Sequence, residues 1–119
     1  MPAAGGVVHS YSGSAELVPA YLDLGLSLSF AGPVTYANAS RVCEALRRVP
    51  RERLLVETDA PDQTPEPQRG QGRANEPAFL PAVIAAVATI RGEAAAAVAA
   101  YTADNARRLF RLAEASAAT

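Results

Sequence analysis

Apolar and polar positions along this chain follow two periods, one near two and one near 3.6. Short period-two runs lie at 6–10, Leu26–Phe30 and 54–57, and each predicts a strand. Helical periodicity fills the gaps. Ser14 can cap a helix over 14–25 with Glu16 in its first turn, continuing through Leu17, Val18, Tyr21 and Leu22 to a stop at Gly25. Pro19 lies near the start of that helix, where a missing amide donor does least harm. Ala31-Gly32-Pro33 closes the second strand, and a helix over 38–49 follows with Val42, Ala45, Leu46 and Val49 on one face, ended by Pro50. After the third strand, a helix from Pro77 carries Phe79, Leu80, Val83, Ile84, Val87 and Ile90 and stops at Gly92. Two further helical pieces are expected at 93–101 and 102–112, the second capped by Thr102 and anchored in the core by Leu109 and Phe110. Strands alternating with helices predict an α/β fold with a parallel sheet covered by helices. Right-handed winding then puts Leu26–Phe30 between the other two strands.

Composition narrows the setting. The 119 residues suffice for one domain with a real core. A net charge of −1, with all eleven basic residues arginine, leaves no electrostatic footprint for tight nonspecific binding to nucleic acid. Cys43 is alone, so an internal disulfide is ruled out and a reducing compartment is expected. No apolar run reaches the length of a membrane span, since Arg91, Glu93 and Asp104 interrupt the alanine-rich tract. The opening Met-Pro-Ala-Ala-Gly-Gly lacks the basic and apolar regions of a signal peptide. The expectation is a soluble, cytoplasmic protein with no membrane partner.

Candidate chemistry gathers where strands end. In Leu54-Leu55-Val56-Glu57-Thr58-Asp59-Ala60-Pro61, alternation puts Leu55, Glu57 and Asp59 on one face and Val56 and Thr58 on the other. Two acids there suit the C-terminal rim of a parallel sheet or barrel, where such folds carry their sites. A solvated turn using Asp59 and Pro61 accounts for the same residues. The loop over 59–77 is long, rich in proline and glycine and nearly free of apolar residues, which marks it as functional or disordered. His9 ends the first strand, so parallel pairing would place it on the same rim as Asp59. Imidazole and carboxylate are ligand types that zinc and manganese accept, although a lone histidine is more often a plain polar rim residue. Cys43 falls mid-helix and makes a weak nucleophile candidate. Neither a glycine-rich phosphate loop nor zinc-finger spacing is present in the sequence.

The tracts His9-Ser10-Tyr11-Ser12-Gly13-Ser14, Glu57-Thr58-Asp59-Ala60-Pro61, Asn75-Glu76-Pro77 and Thr102-Ala103-Asp104-Asn105-Ala106-Arg107-Arg108-Leu109-Phe110 resemble those of the TatD-type metal-dependent deoxyribonucleases. They occur in the family's order and at about its spacing, over nearly the whole chain. The resemblance implies a TIM-like (β/α)₈ barrel, of which this chain would be the last three βα units plus C-terminal helices. Residues 1–119 would then form a single domain, the C-terminal portion of the barrel, with 59–77 as a long rim loop. His9 would end barrel strand six and Asp59 follow strand eight. The family's His-x-His, its bridging glutamate and its strand-five histidine have no counterpart, so two of its metal-binding side chains remain, His9 and Asp59.

The implied activity is metal-assisted hydrolysis of DNA phosphodiesters with Mg, Mn or Zn. His9 and Asp59 would bind the metal, and Asp59 would also take the proton of the attacking water. Arg69 and Arg73 are candidates for phosphate contact, with solvated loop charges as the equal alternative. Glu57 is expected to support the rim through hydrogen bonding rather than as a ligand. Asn75 and Glu76 could fold back toward the site or start the following helix, and the second is the expectation. Two ligands hold a metal weakly, so activity is expected only in a complete barrel. A second hypothesis is a non-catalytic truncated α/β module that self-associates, or pairs with a partner chain, through open sheet edges.

Overall fold

A computed structural model describes residues 5–110. Three parallel strands, β1 (Gly6–Val8), β2 (Leu26–Phe30) and β3 (Leu54–Val56), pair in the order β1-β2-β3. Helices α1 (Val18–Asp23), α2 (Ser40–Arg48), α3 (Leu80–Arg91) and α4 (Ala95–Phe110) follow in sequence. The fold is α/β, and the central place of β2 is the one its winding predicts. No single helix among the described residues is long and apolar enough to cross a membrane.

The pleat divides the sheet into two chemically different faces. Leu28, Phe30 and Leu54 point one way and are fully buried with Val18, Leu46, Val49, Val83, Val87 and Val98. Burial of such a side chain contributes roughly 1.5–3 kcal/mol. On the opposite face the register aligns Val7 with Ser27 and Ser29 with Leu55. The C-terminal turns of α4 reach that face, where Ala106 and Phe110 join Val7, Ser29 and Leu55 around a cavity of ≈ 240 Å³.

β1 stops at Val8, short of the expected 6–10, because Ser10 takes a left-handed backbone at φ 47°. The ladder resumes one residue later, where Tyr11 N–H donates to Ser29 C=O at 2.7 Å. β3 likewise ends at Val56, although Glu57 N–H still donates to Phe30 C=O at 2.9 Å. The first helix opens as a 3₁₀ turn over Ala15–Leu17, and the Ser14 side chain makes no capping hydrogen bond. The two helices expected at 93–101 and 102–112 are one, α4, through the last described residue. Thr102 is a buried mid-helix residue whose hydroxyl donates back to the Val98 carbonyl at 2.7 Å. Phe110 is 56% exposed, so it is not a core anchor, and Leu109 is half-buried. Residues 111 and 112 of the expected helix lie outside the described residues.

Asn105 explains why α4 crosses β3 where it does. Glu57 N–H points toward β2, so the Leu54 carbonyl, on the alternate side of the strand, faces outward. The Asn105 amide donates to that carbonyl at 2.8 Å and to Arg51 C=O at 2.5 Å, while its own oxygen accepts from Arg108.

The lower end, opposite the strand C-termini, is tied by Glu93. Its carboxylate accepts from Tyr101 Oη at 2.6 Å, Arg91 Nε at 3.1 Å and Arg51 Nε at 3.0 Å. Arg91 also donates to the carbonyls of Leu46 and Val49 at 2.7 and 2.6 Å, capping α2. Burial alone would raise the Glu93 pKa, but the bonds from Tyr101, Arg91 and Arg51 prevail and hold it at about 2, against an ordinary 4.5. Burial and the bond to Glu93 push Tyr101 to about 12 from 10.0. A carboxyl depressed on folding stabilises fully above its unfolded pKa and loses that contribution as pH falls through the folded one. The clamp is therefore at full strength between about pH 4.5 and 10 and fades toward pH 2. Glu93→Gln should lower the melting temperature at pH 7 and flatten its decline between pH 4.5 and 2. Thermal melts across that range check this, and parallel melting curves for the two proteins would show that the clamp carries no linkage.

Candidate metal site on the strand rim

Parallel pairing brings the segments after β1, β2 and β3 to one end of the sheet. β1 and β3 flank β2 and so stand about 10 Å apart. Their side chains can meet only if β2 offers nothing bulky between them. It offers Ser29 and Ala31, both buried, and Glu57 reaches across. Its Oε1 lies 2.6 Å from His9 Nδ1, and its Oε2 accepts from Ser10 N–H at 3.2 Å. The Oε1 contact is close, yet it lacks the alignment of a normal hydrogen bond, and Oε1 is buried with no other partner. The other imidazole nitrogen, Nε2, lies 3.6 Å from Asp59 Oδ1.

Glu57, His9 and Asp59 thus form a line through one imidazole ring. A carboxylate at Nδ1 favours the proton there and leaves Nε2 as a lone-pair donor facing Asp59. Glu57 is the buried end of the line at 16% side-chain exposure, whereas His9 at 64% and Asp59 at 38% are open to solvent. Two ligands of a single ion at 2.0–2.2 Å can stand at most about 4.4 Å apart, and Nε2 and Oδ1 lie within that limit. The donor types and spacing fit a divalent ion. Among the described residues, no group of three or more His, Cys, Asp and Glu side chains could hold one.

The loop after β3 is strapped onto the rim by its backbone. Asp62 N–H donates to Asp59 C=O at 2.7 Å, closing a tight turn at the carboxylate. Gln63, left-handed at φ 56°, accepts from the Ser10 hydroxyl at 2.9 Å. Tyr36 Oη donates to Thr64 C=O at 3.0 Å, and Glu66 N–H donates to Thr35 Oγ1 at 2.8 Å. Asn75 does not simply start the following helix. It is buried and folds back, its amide donating to Asp62 C=O at 2.9 Å and its N–H to Pro61 C=O at 3.0 Å. Glu76 is exposed and occupies the residue before the 3₁₀ turn Pro77–Phe79. Arg69 and Arg73 stack on aromatic rings, Arg69 at 4.2 Å from the Tyr36 centroid and Arg73 at 4.6 Å from Phe79. Burial raises the Cys43 pKa, which disfavours the thiolate.

From the sequence Ser10 stands out only as part of a hydroxyl-rich tract, and Gln63 and Tyr36 are not singled out. Nothing in the sequence marks the backbone amide of Ser10 or the left-handed turn at Gln63. Tyr36 did carry a signal, an aromatic residue in the loop after a strand of a parallel sheet.

A parallel α/β sheet with its polar groups gathered at the strand C-termini defines a class of protein whose sites are built at that end. Sequence comparison gives the family. The sequence model described as TatD related DNase matches residues 1–111, and the chain belongs to that family. It is similar to the uncharacterised metal-dependent hydrolase YabD of Bacillus subtilis, 40% identical over 92% of this chain and 42% of that protein. The 3'-5' ssDNA/RNA exonuclease TatD of Pantoea vagans is 42% identical over 92% of this chain and 44% of its own length. Among solved structures, YjjV, a TatD homologue of Escherichia coli, superposes with a TM-score of 0.83 at 33% identity, over 92% of this chain and 42% of that one. The chain spans about two fifths of the length of the curated relatives it matches.

Gly32 decides whether the strap can seat. A Cβ there would stand 1.9 Å from the Gln63 carbonyl oxygen and 3.2 Å from Pro65 N, both backbone atoms. Gly32→Ala should therefore lift the loop and cost roughly 1–3 kcal/mol or more. Limited proteolysis should then cut within 59–77 first. Wild-type melting together with wild-type protection of that loop would show that the strap is not held at Gly32.

Proposed function

We propose that this chain is the C-terminal part of a (β/α)₈ barrel, its last three βα units and C-terminal helices, folding as one unit with 59–77 as a rim loop. The complete protein is read as a metal-dependent hydrolase of nucleic-acid phosphodiesters. The observation that carries this is the Glu57–His9–Asp59 line, which presents two ligand atoms 3.6 Å apart on an open rim. The exonuclease name of one relative supports nucleic acid as the substrate class.

His9 Nε2 and Asp59 Oδ1 would hold the ion. A bound divalent ion supplies Lewis-acid polarisation of the phosphoryl oxygen and makes water acidic enough to attack near neutral pH. The chain's own groups do the rest. Glu57 selects the tautomer with its proton on Nδ1 and aims Nε2 outward. Asp59, partly solvated and fixed by the turn at Asp62, accepts the proton of the attacking water. Arg69 and Arg73 lie on the strap, where guanidinium groups could meet phosphate oxygens. A catalytic metal keeps about three protein ligands, so the rest of the ligand set is assigned to the part of the relatives' length that this chain does not span.

The isolated chain should then show no metal-dependent cleavage of single-stranded DNA with magnesium, manganese or zinc. Robust cleavage that His9→Ala abolishes would overturn that. In a complete barrel carrying this segment, Asp59→Ala should lower turnover roughly 10²–10⁴-fold with little change in melting temperature. Leu55→Ala, on β3 ahead of that loop and 5% exposed, should instead cost roughly 2–5 kcal/mol of stability. Early melting with normal turnover for Asp59→Ala would make it a structural cap and sink the assignment.

A further inference from the structure

We infer that the rim carries a stacking subsite for a single-stranded nucleic acid, with Tyr36 as its platform and Arg41 as its phosphate contact. The inference rests on the hydrolase reading and adds where the strand lies.

Tyr36 sits in the segment after β2, so it belongs to the same end of the sheet as His9 and Asp59. Its phenol oxygen is tied to the Thr64 carbonyl at 3.0 Å, which fixes the ring against the strap. The Arg69 guanidinium lies over the ring, 4.2 Å from its centroid. The ring also lines an open pocket of ≈ 210 Å³, whose walls include Ser12, Pro33, Asn38, Arg41 and Val42. Pro33, Val42 and the tyrosine ring make that wall largely apolar, which suits the face of a planar base. Arg41 is exposed and makes no ion pair among the described residues. Its five N–H donors and fixed charge are free for a phosphate. An aromatic platform beside a guanidinium is how sequence-tolerant sites hold single strands, because every base has a π-face and every linkage a phosphate. A duplex keeps its base faces stacked inside and cannot use the platform. The pocket lies between the loops after β1 and β2, with Tyr36 tied to the strap, at the same end of the sheet as the His9–Asp59 pair.

The test is fluorescence anisotropy of the 119-residue chain with a short labelled oligothymidylate in EDTA, so that no hydrolysis contributes. Tyr36→Ala should weaken binding roughly 5- to 150-fold, the range stacking losses span. Tyr36→Phe, which drops the bond to Thr64 but keeps the ring, should bind within about twofold of wild type. Arg41→Ala should weaken binding and reduce the slope of log affinity against log salt by about 0.7, as expected for one lost phosphate contact. An oligouridylate should bind like the deoxy strand, because the platform meets ring faces and not the 2′-hydroxyl. No binding by the wild type, unchanged binding by Tyr36→Ala, or equal losses in the Phe and Ala variants would each overturn the subsite. Strand binding without metal-dependent cleavage in the complete protein would instead sink the hydrolase reading and leave the subsite standing.

Discussion

Parallel pairing of three strands forces the segments that follow them to one end, and the site depends on that single constraint. Were β2 antiparallel, Ser29 and Ala31 would no longer form the low ground between His9 and Glu57. The side chains on this line are short of reach by design of the sheet itself, since two strand spacings separate β1 from β3. A bulky residue at position 29 or 31 would break the contact without altering either partner.

The two ends of the sheet are built from different materials. Below, ionic and hydrogen-bonded groups interlock: Arg91 holds the end of α2, Glu93 collects three donors, and Arg53 donates to the carbonyls of Leu22 and Leu26. Above, the strap is held chiefly by backbone carbonyls and small polar side chains, seated against a glycine. The lower end resists pH over a wide range because its acid is depressed and its phenol raised. The upper end leaves its imidazole and outer carboxylate open to solvent, as a rim that must admit a ligand requires.

The strands, their order and the positions of His9, Glu57 and Asp59 at the rim were legible because period-two runs ending in polar residues carry their own geometry. Contacts made through the backbone were not. Asn75 was expected to open a helix, since asparagine before Glu-Pro suits a helix start equally well, and only the folded loop shows its amide turned to Asp62. Thr102 failed as a cap because a threonine hydroxyl bonds as readily to a carbonyl one turn back as to a free amide, and its place buried in the middle of α4 settled the choice. Phe110 was placed in the core from its apolarity alone, whereas the end of α4 carries it to the face of the sheet opposite the core, beside a cavity. Arg69 and Arg73 were legible as loop cations, but their aromatic partners lie far off in sequence or around a turn.

Asn105 sets the lower limit of pairing along the outer edge of β3. Its amide takes the Leu54 carbonyl, so a strand lying beside β3, as closure of a barrel requires, begins its ladder above that carbonyl. A single amide on a helix that never enters the sheet thus fixes the level at which the sheet can continue.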